Sequence, residues 1–130
     1  MLNQNGQDSI VLKVIVAGSR SFTDYLWMEL LLDMYFQRYS PDQIEIVSGG
    51  AWGADRLGEI YAKTHGMALK VMPAHWEKYG KSAGYRRNEQ MAQYATHCVV
   101  FWDGESRGTG HMIDLAKQYN LALRIVRYRS

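Results

Sequence analysis

Only one cysteine, Cys98, occurs in the 130 residues, so no disulfide can form within the chain and a reducing compartment is expected. Long apolar runs are also missing. None approaches the length that spans a bilayer, and the amino-terminal stretch MLNQNGQDS has no apolar signal core. A cytoplasmic protein is the expectation. A strong charge of either sign is absent as well: 15 Lys and Arg against 13 Asp and Glu leave a net charge of +2. The whole molecule therefore lacks the positive field of a general nucleic-acid binder, which weighs against nucleic acid as a partner and makes any affinity for phosphate a local matter. The four histidines, His65, His75, His97 and His111, have no metal-ligand spacing, and no metal site or required cofactor is expected. Ser48 lacks the Gly-x-Ser-x-Gly setting of a nucleophilic serine.

What is present is the make-up of one globular domain, with 47% apolar and 22% charged residues. Residues 1–9 read as a flexible tail and 10–130 as a single domain without linker, repeat or low-complexity tract. Short β-branched runs at 11–17, 44–47, 68–72, 98–102 and 121–126 read as strands. Between them, amphipathic segments read as helices at about 24–38, from about 54 to 65, at 83–94 and at 109–119. On the first helix the expected inner stripe is Leu26, Leu30 and Met34, widened by Trp27, Leu31 and Tyr35; on the second it is Leu57, Ile60, Tyr61 and Thr64. Five strands alternating with four helices predict an α/β three-layer sandwich, a parallel sheet of order 3-2-1-4-5 with helices on both faces. Ligands of such sheets settle at the edge where strands run into helices, so the function belongs to four loops.

The first loop, GSRSFTD, offers the turn-forming Gly18 with Ser19 and Arg20, a hydroxyl and a planar cation suited to an oxyanion. The second, SGGAWGADRLG, begins at Ser48. Gly49, Gly50 and Gly53, with Ala51 between them, put backbone amides beside a helix N-terminus, where phosphate is the natural guest. Trp52 can stack on a base or anchor the loop, and Asp55 can complement the helix dipole or accept from a ribose hydroxyl. The third loop, PAHWEKYGKSAGYRRN, mixes Trp76 and Tyr79 with Lys78, Lys81, Arg86 and Arg87, and Arg87 with Asn88 opens a helix. The fourth, WDGESRGTGHM, repeats the glycine device: Asp103, Ser106, Gly108 and Thr109 can hold a second anionic group or a ribose.

The motifs GSRSF, SGGAWGAD, AGYRRNEQM and FWDGESRGTGHMIDLA, in that order over roughly 11–127, resemble the YspA-type, YpsA-related branch of the SLOG superfamily. That group is Rossmann-like and also includes LOG-type nucleotide phosphoribohydrolases and DprA-type DNA-processing proteins. The resemblance implies a nucleotide-type ligand at the loops already chosen, and a dimer or larger homo-oligomer. Arg87, Asn88 and Met91 resemble the enzymes' substrate-binding arginine motif, which makes Arg87 the best catalytic candidate. The enzymes' second motif, with one or two glutamates after Gly-Thr, falls on Ser106 to Met112. Here His111 and Met112 follow Gly110, and neither offers a carboxylate to stabilise sugar charge or activate water; Glu105, Asp103 or Asp55 would have to substitute, and nothing in the sequence places them there.

Three readings follow. The first is a binding module for a nucleotide or an ADP-ribose-like signal, as sensor or sequestering protein, with the glycine loops and Thr109 on phosphates, Ser19, Arg20 and Arg87 as clamps, and Trp52 or Trp76 under a base. The second is hydrolysis of the N-glycosidic bond of a nucleoside monophosphate. The third is a DNA-processing accessory with Lys81, Arg86, Arg124, Arg127 and Arg129 in one stripe.

Overall fold

The computed structural model describes residues 9–129, so residues 1–8 of the expected tail lie outside the described residues. Among the described residues the chain runs β1 (Leu12–Gly18), α1 (Tyr25–Tyr35), β2 (Ile44–Ser48), α2 (Ala54–Thr64), β3 (Ala68–Val71), a one-turn α3 (Trp76–Tyr79), α4 (Ala83–Tyr94), β4 (His97–Trp102), α5 (Arg107–Gln118) and β5 (Ala122–Arg127). All pairings are parallel, and the sheet order is β3-β2-β1-β4-β5, as expected.

β1 is central because successive side chains feed both faces. Val14 and Val16 point into a core shared with Met28, Leu32, Ile46 and Tyr61, under α1 and α2. Ile15 and Ala17 point the other way, into a core with Val47, Met91, Cys98, Val100 and Met112, under α4 and α5. The long third loop is not irregular throughout, since it contains α3 and a 3-10 turn over Gly80–Ser82.

Two helix faces differ from the expected ones. On α1 the buried residues are Met28 and Leu32, while Leu26, Leu30 and Met34 are 71%, 69% and 55% exposed. The segment YLWMELLLDMY is apolar on nearly every side, so spacing alone does not select the face that meets the sheet. On α2 the inner face is Ala54, Gly58, Tyr61 and Ala62; Ile60 and Thr64 are exposed. A Cβ at Gly58 would lie 2.8 Å from Val16 Cγ1, so small residues let this helix lie close to β1. Asp24 caps α1 by accepting from the Trp27 amide at 3.0 Å.

Candidate functional site

At the carboxyl edge of the sheet lies a cleft of about 530 Å³. Parallel pairing puts the ends of β1, β2 and β4 side by side, so the loops after them must meet there. The cleft gathers Gly18, Ser19 and Arg20 from the first loop, Ala51 and Asp55 from the second, Trp76, Lys81, Arg87 and Asn88 from the third, and Asp103, Ser106, Gly108 and Thr109 from the fourth. Hydrogen bonds tie the loops together. The Asp103 amide donates to Ser19 Oγ at 3.1 Å, and the Ser19 amide donates to the Phe101 carbonyl at 2.9 Å.

Arg87 is the centre of the arrangement. Its Nη1 donates to the Gly49 carbonyl and its Nε to Asn88 Oδ1 at 3.0 Å; among the described residues Nη2 has no hydrogen-bond partner. Burial lowers the basicity of this guanidinium, the Asp55 carboxylate raises it again, and the neighbouring Arg20 charge lowers it. Two cations in one cleft repel each other until an anion comes between them. Asp55 is itself buried, and burial lifts its pKa from 3.8 to about 6, against the opposing effects of the Ala51 amide and Arg87. Asn88 joins the third loop to the fourth, donating through Nδ2 towards the Gly108 carbonyl and His111 Nδ1, each at 3.3 Å. Asp103 accepts from the amides of Glu105 and Ser106, both at 2.9 Å, and these bonds hold its carboxyl below the usual range.

The second loop does something other than the sequence suggests. The Gly50 amide donates to Ser48 Oγ at 3.1 Å and the Ala51 amide to Asp55 Oδ2 at 3.3 Å. Those two amides are therefore not open to a phosphate. A Cβ at Gly49 would fall 2.6 Å from Arg87 Nη1 and 2.9 Å from Asp55 Oδ2, so this glycine makes room for both side chains. At Gly53, with φ +82°, a Cβ would meet the Ser19 carbonyl oxygen at 2.5 Å, so this glycine lets the first and second loops touch. Gly53 and Ser48 do not line the cleft: Ser48 is sealed in, donating to Glu59 Oε2 at 2.7 Å. Gly49, Gly50 and Trp52 line an adjoining hollow instead.

By contrast, the first-turn amides of α5, at Arg107, Gly108 and Thr109, precede any intrahelical acceptor, and Gly108 and Thr109 line the cleft. Ser106 Oγ and Thr109 Oγ1 lie 3.1 Å apart at the same spot. Lining residues not chosen as candidates are Ala17, Ser21, Gly84, Tyr85 and Met112, while Met91, which belongs to the substrate-binding motif that Arg87 resembles, lines the cleft as well. Tyr85 sits in the cation and aromatic run AGYRRN, where a signal was available; Ala17, at the end of an apolar strand, gave none. The basic stripe is not formed: Lys81 lines the cleft, Arg86 lies over the Tyr79 ring at 4.3 Å, and Arg124 reaches towards Tyr35 at the opposite end of the strands. Among the described residues no group of three or more His, Cys, Asp or Glu comes together to hold a metal ion, and no helix is long and apolar enough to cross a membrane.

A doubly wound parallel sheet with its cleft at the strand ends defines a Rossmann-like α/β protein. The model of the YspA, cpYpsA-related SLOG family matches residues 12–79, just over half of the chain, and the chain belongs to that family. It is 32% identical over 114 residues to the Gene 61 protein of Mycobacterium phage D29, covering 82% of this chain and 89% of that protein. Among solved structures it is similar to DNA processing protein A from Helicobacter pylori, a protein described by its unique single-stranded DNA binding mode. The TM-score is 0.70 at 18% identity, over 98% of this chain and 70% of that one. At this identity the likeness is one of fold.

It also overturns one expectation. Low net charge does not weigh against nucleic acid as a partner for this architecture, because a protein of the same fold binds single-stranded DNA. The physical reason is averaging: +2 is a sum over the whole surface, whereas Arg20, Lys81 and Arg87 line one cleft.

Proposed function

We propose that the cleft binds a phosphorylated nucleotide unit, with the phosphate against Arg87 and Arg20 and the start of α5, and with Asp55 accepting from the sugar. The observation that carries this reading is the paired guanidiniums: Arg20 and Arg87 line one cleft, close enough for the first to depress the basicity of the second. Binding without turnover is the reading. It is supported by Met112, which is buried, and by His111, held against Asn88 and the Tyr85 ring, at the positions where the resembling hydrolases carry glutamate.

Calorimetric titration with thymidine monophosphate tests it. Arg87→Ala weakens binding by about 2 kcal/mol, roughly thirtyfold, through loss of a charge-assisted contact. Arg20→Ala changes an exposed side chain and weakens binding while leaving the melting temperature in place. Unchanged affinity in both variants removes the clamp, and release of free base on incubation replaces the binder with a hydrolase.

A second reading, in which the nucleotide belongs to single-stranded DNA, is favoured by the fold shared with DNA processing protein A. For a thymidine oligomer, the logarithm of affinity then falls with the logarithm of salt by about 0.7 per phosphate neutralised. A salt-independent affinity returns the reading to a free nucleotide.

A further inference from the structure

The cleft shares a wall with a second hollow. This second chamber, of about 410 Å³, opens on the Trp52 side, and Arg20, Ala51, Trp76 and Arg87 line both. The two guanidiniums thus stand between two chambers. Each chamber has a carboxylate on α2, Asp55 in the first and Glu59 in the second, one helical turn apart; the first also holds Asp103 from the fourth loop. Glu59 is fixed by the sealed Ser48 hydroxyl at 2.7 Å. Each also has its own aromatic surface. Tyr85 borders the first, Trp52 borders the second, and Trp76 borders both; Trp52 and Trp76 are 67% and 55% exposed. Exposed indoles beside arginines are the usual platform for stacking a base, and Arg56 already lies over the Trp52 ring at 4.6 Å. A single nucleotide leaves one chamber, its carboxylate and its indole unused.

We infer that the site takes two nucleosides joined through phosphate, with the link against Arg20 and Arg87 and one nucleoside in each chamber. This inference rests on the nucleotide reading above and adds the second nucleoside. Two sources share this chemistry: a dinucleotide step within single-stranded DNA, and a free dinucleotide joined through pyrophosphate.

The test uses the full chain and four probes: thymidine monophosphate, the dinucleotide d(TpT), adenosine monophosphate and diadenosine pyrophosphate. At least one linked pair binds about tenfold or more tightly than its own mononucleotide, and in Trp52→Ala that ratio falls to about one. Trp52 is exposed, so folding is not at stake, and a melting curve checks it. Preference for d(TpT) assigns the site to a strand, and preference for the pyrophosphate assigns it to a free dinucleotide. Mononucleotide binding with no gain from either linked pair overturns the inference and leaves the nucleotide reading intact. A gain that persists in Trp52→Ala overturns it too, by moving the second nucleoside elsewhere. No binding of any probe overturns both readings together.

Discussion

The β2–α2 and β4–α5 turns look like two copies of one device, a strand running through a glycine-punctuated turn into a helix, yet the folded chain uses them differently. In the β2–α2 turn the amides of Gly50 and Ala51 are engaged by Ser48 and Asp55, and the glycines make space for Arg87 and for the first loop. In the β4–α5 turn, Asp103 takes the amides of Glu105 and Ser106, and Gly108 and Thr109 in the first turn of α5 line the cleft. A Cβ at Gly108 would meet nothing within 4 Å. Glycine thus reports crowding at Gly49 and Gly53, and at Gly104 against the Arg127 guanidinium, but tolerance at Gly108, where the helix begins. The crowding comes from the protein's own groups as readily as from a ligand.

Substitution at the two turns separates these roles. Gly53→Ala has the largest expected effect, because the clash is with the Ser19 carbonyl and Arg20 backbone and the conformation is left-handed. A loss of about 4 kcal/mol in urea unfolding is expected. If the stability is unchanged, the first and second loops do not touch as described.

Asp55→Asn comes next, and its effect depends on pH. The folded chain holds the Asp55 proton up to about pH 6, whereas the unfolded chain releases it near 3.8, so wild-type stability falls as pH rises between them. The fall attributable to this group is about 3 kcal/mol, from roughly two pH units at about 1.4 kcal/mol each. Asp55→Asn removes that segment of the stability profile, and parallel profiles for the two proteins would show that Asp55 is not buried beside Arg87 as described. Gly108→Ala is the smallest, about 0.5 kcal/mol in either direction, since nothing crowds the position. A large loss there would make the two turns alike after all.

The alternation of short apolar strands with amphipathic segments was enough to read the sheet order and the edge where the loops gather, because a parallel sheet requires those crossovers. Helix orientation was less legible. Leu26, Leu30 and Met34 have the spacing of a buried stripe, but so do Met28 and Leu32 in the same helix, whose only charged residues are Glu29 and Asp33, and only packing against β1 and β2 selects between them. Arg87 was legible as a candidate from the motif that Arg87, Asn88 and Met91 resemble, although its helix begins a full turn earlier, at Ala83. Its contact with Gly49 was not, since it joins residues 38 positions apart.

By itself, then, the chain's order of residues determined the layers, the strand sequence and the loops that carry Arg20, Arg87, Asp103 and Thr109, because those follow from local periodicity and from the rule that parallel strands need helical crossovers. Only the tertiary structure decided how the glycine-rich turn is filled, which helix faces are buried, and that Arg20 and Arg87 divide the edge into two chambers. Those outcomes depend on side chains from distant segments competing for the same few ångströms, and no local pattern records which of them gets there.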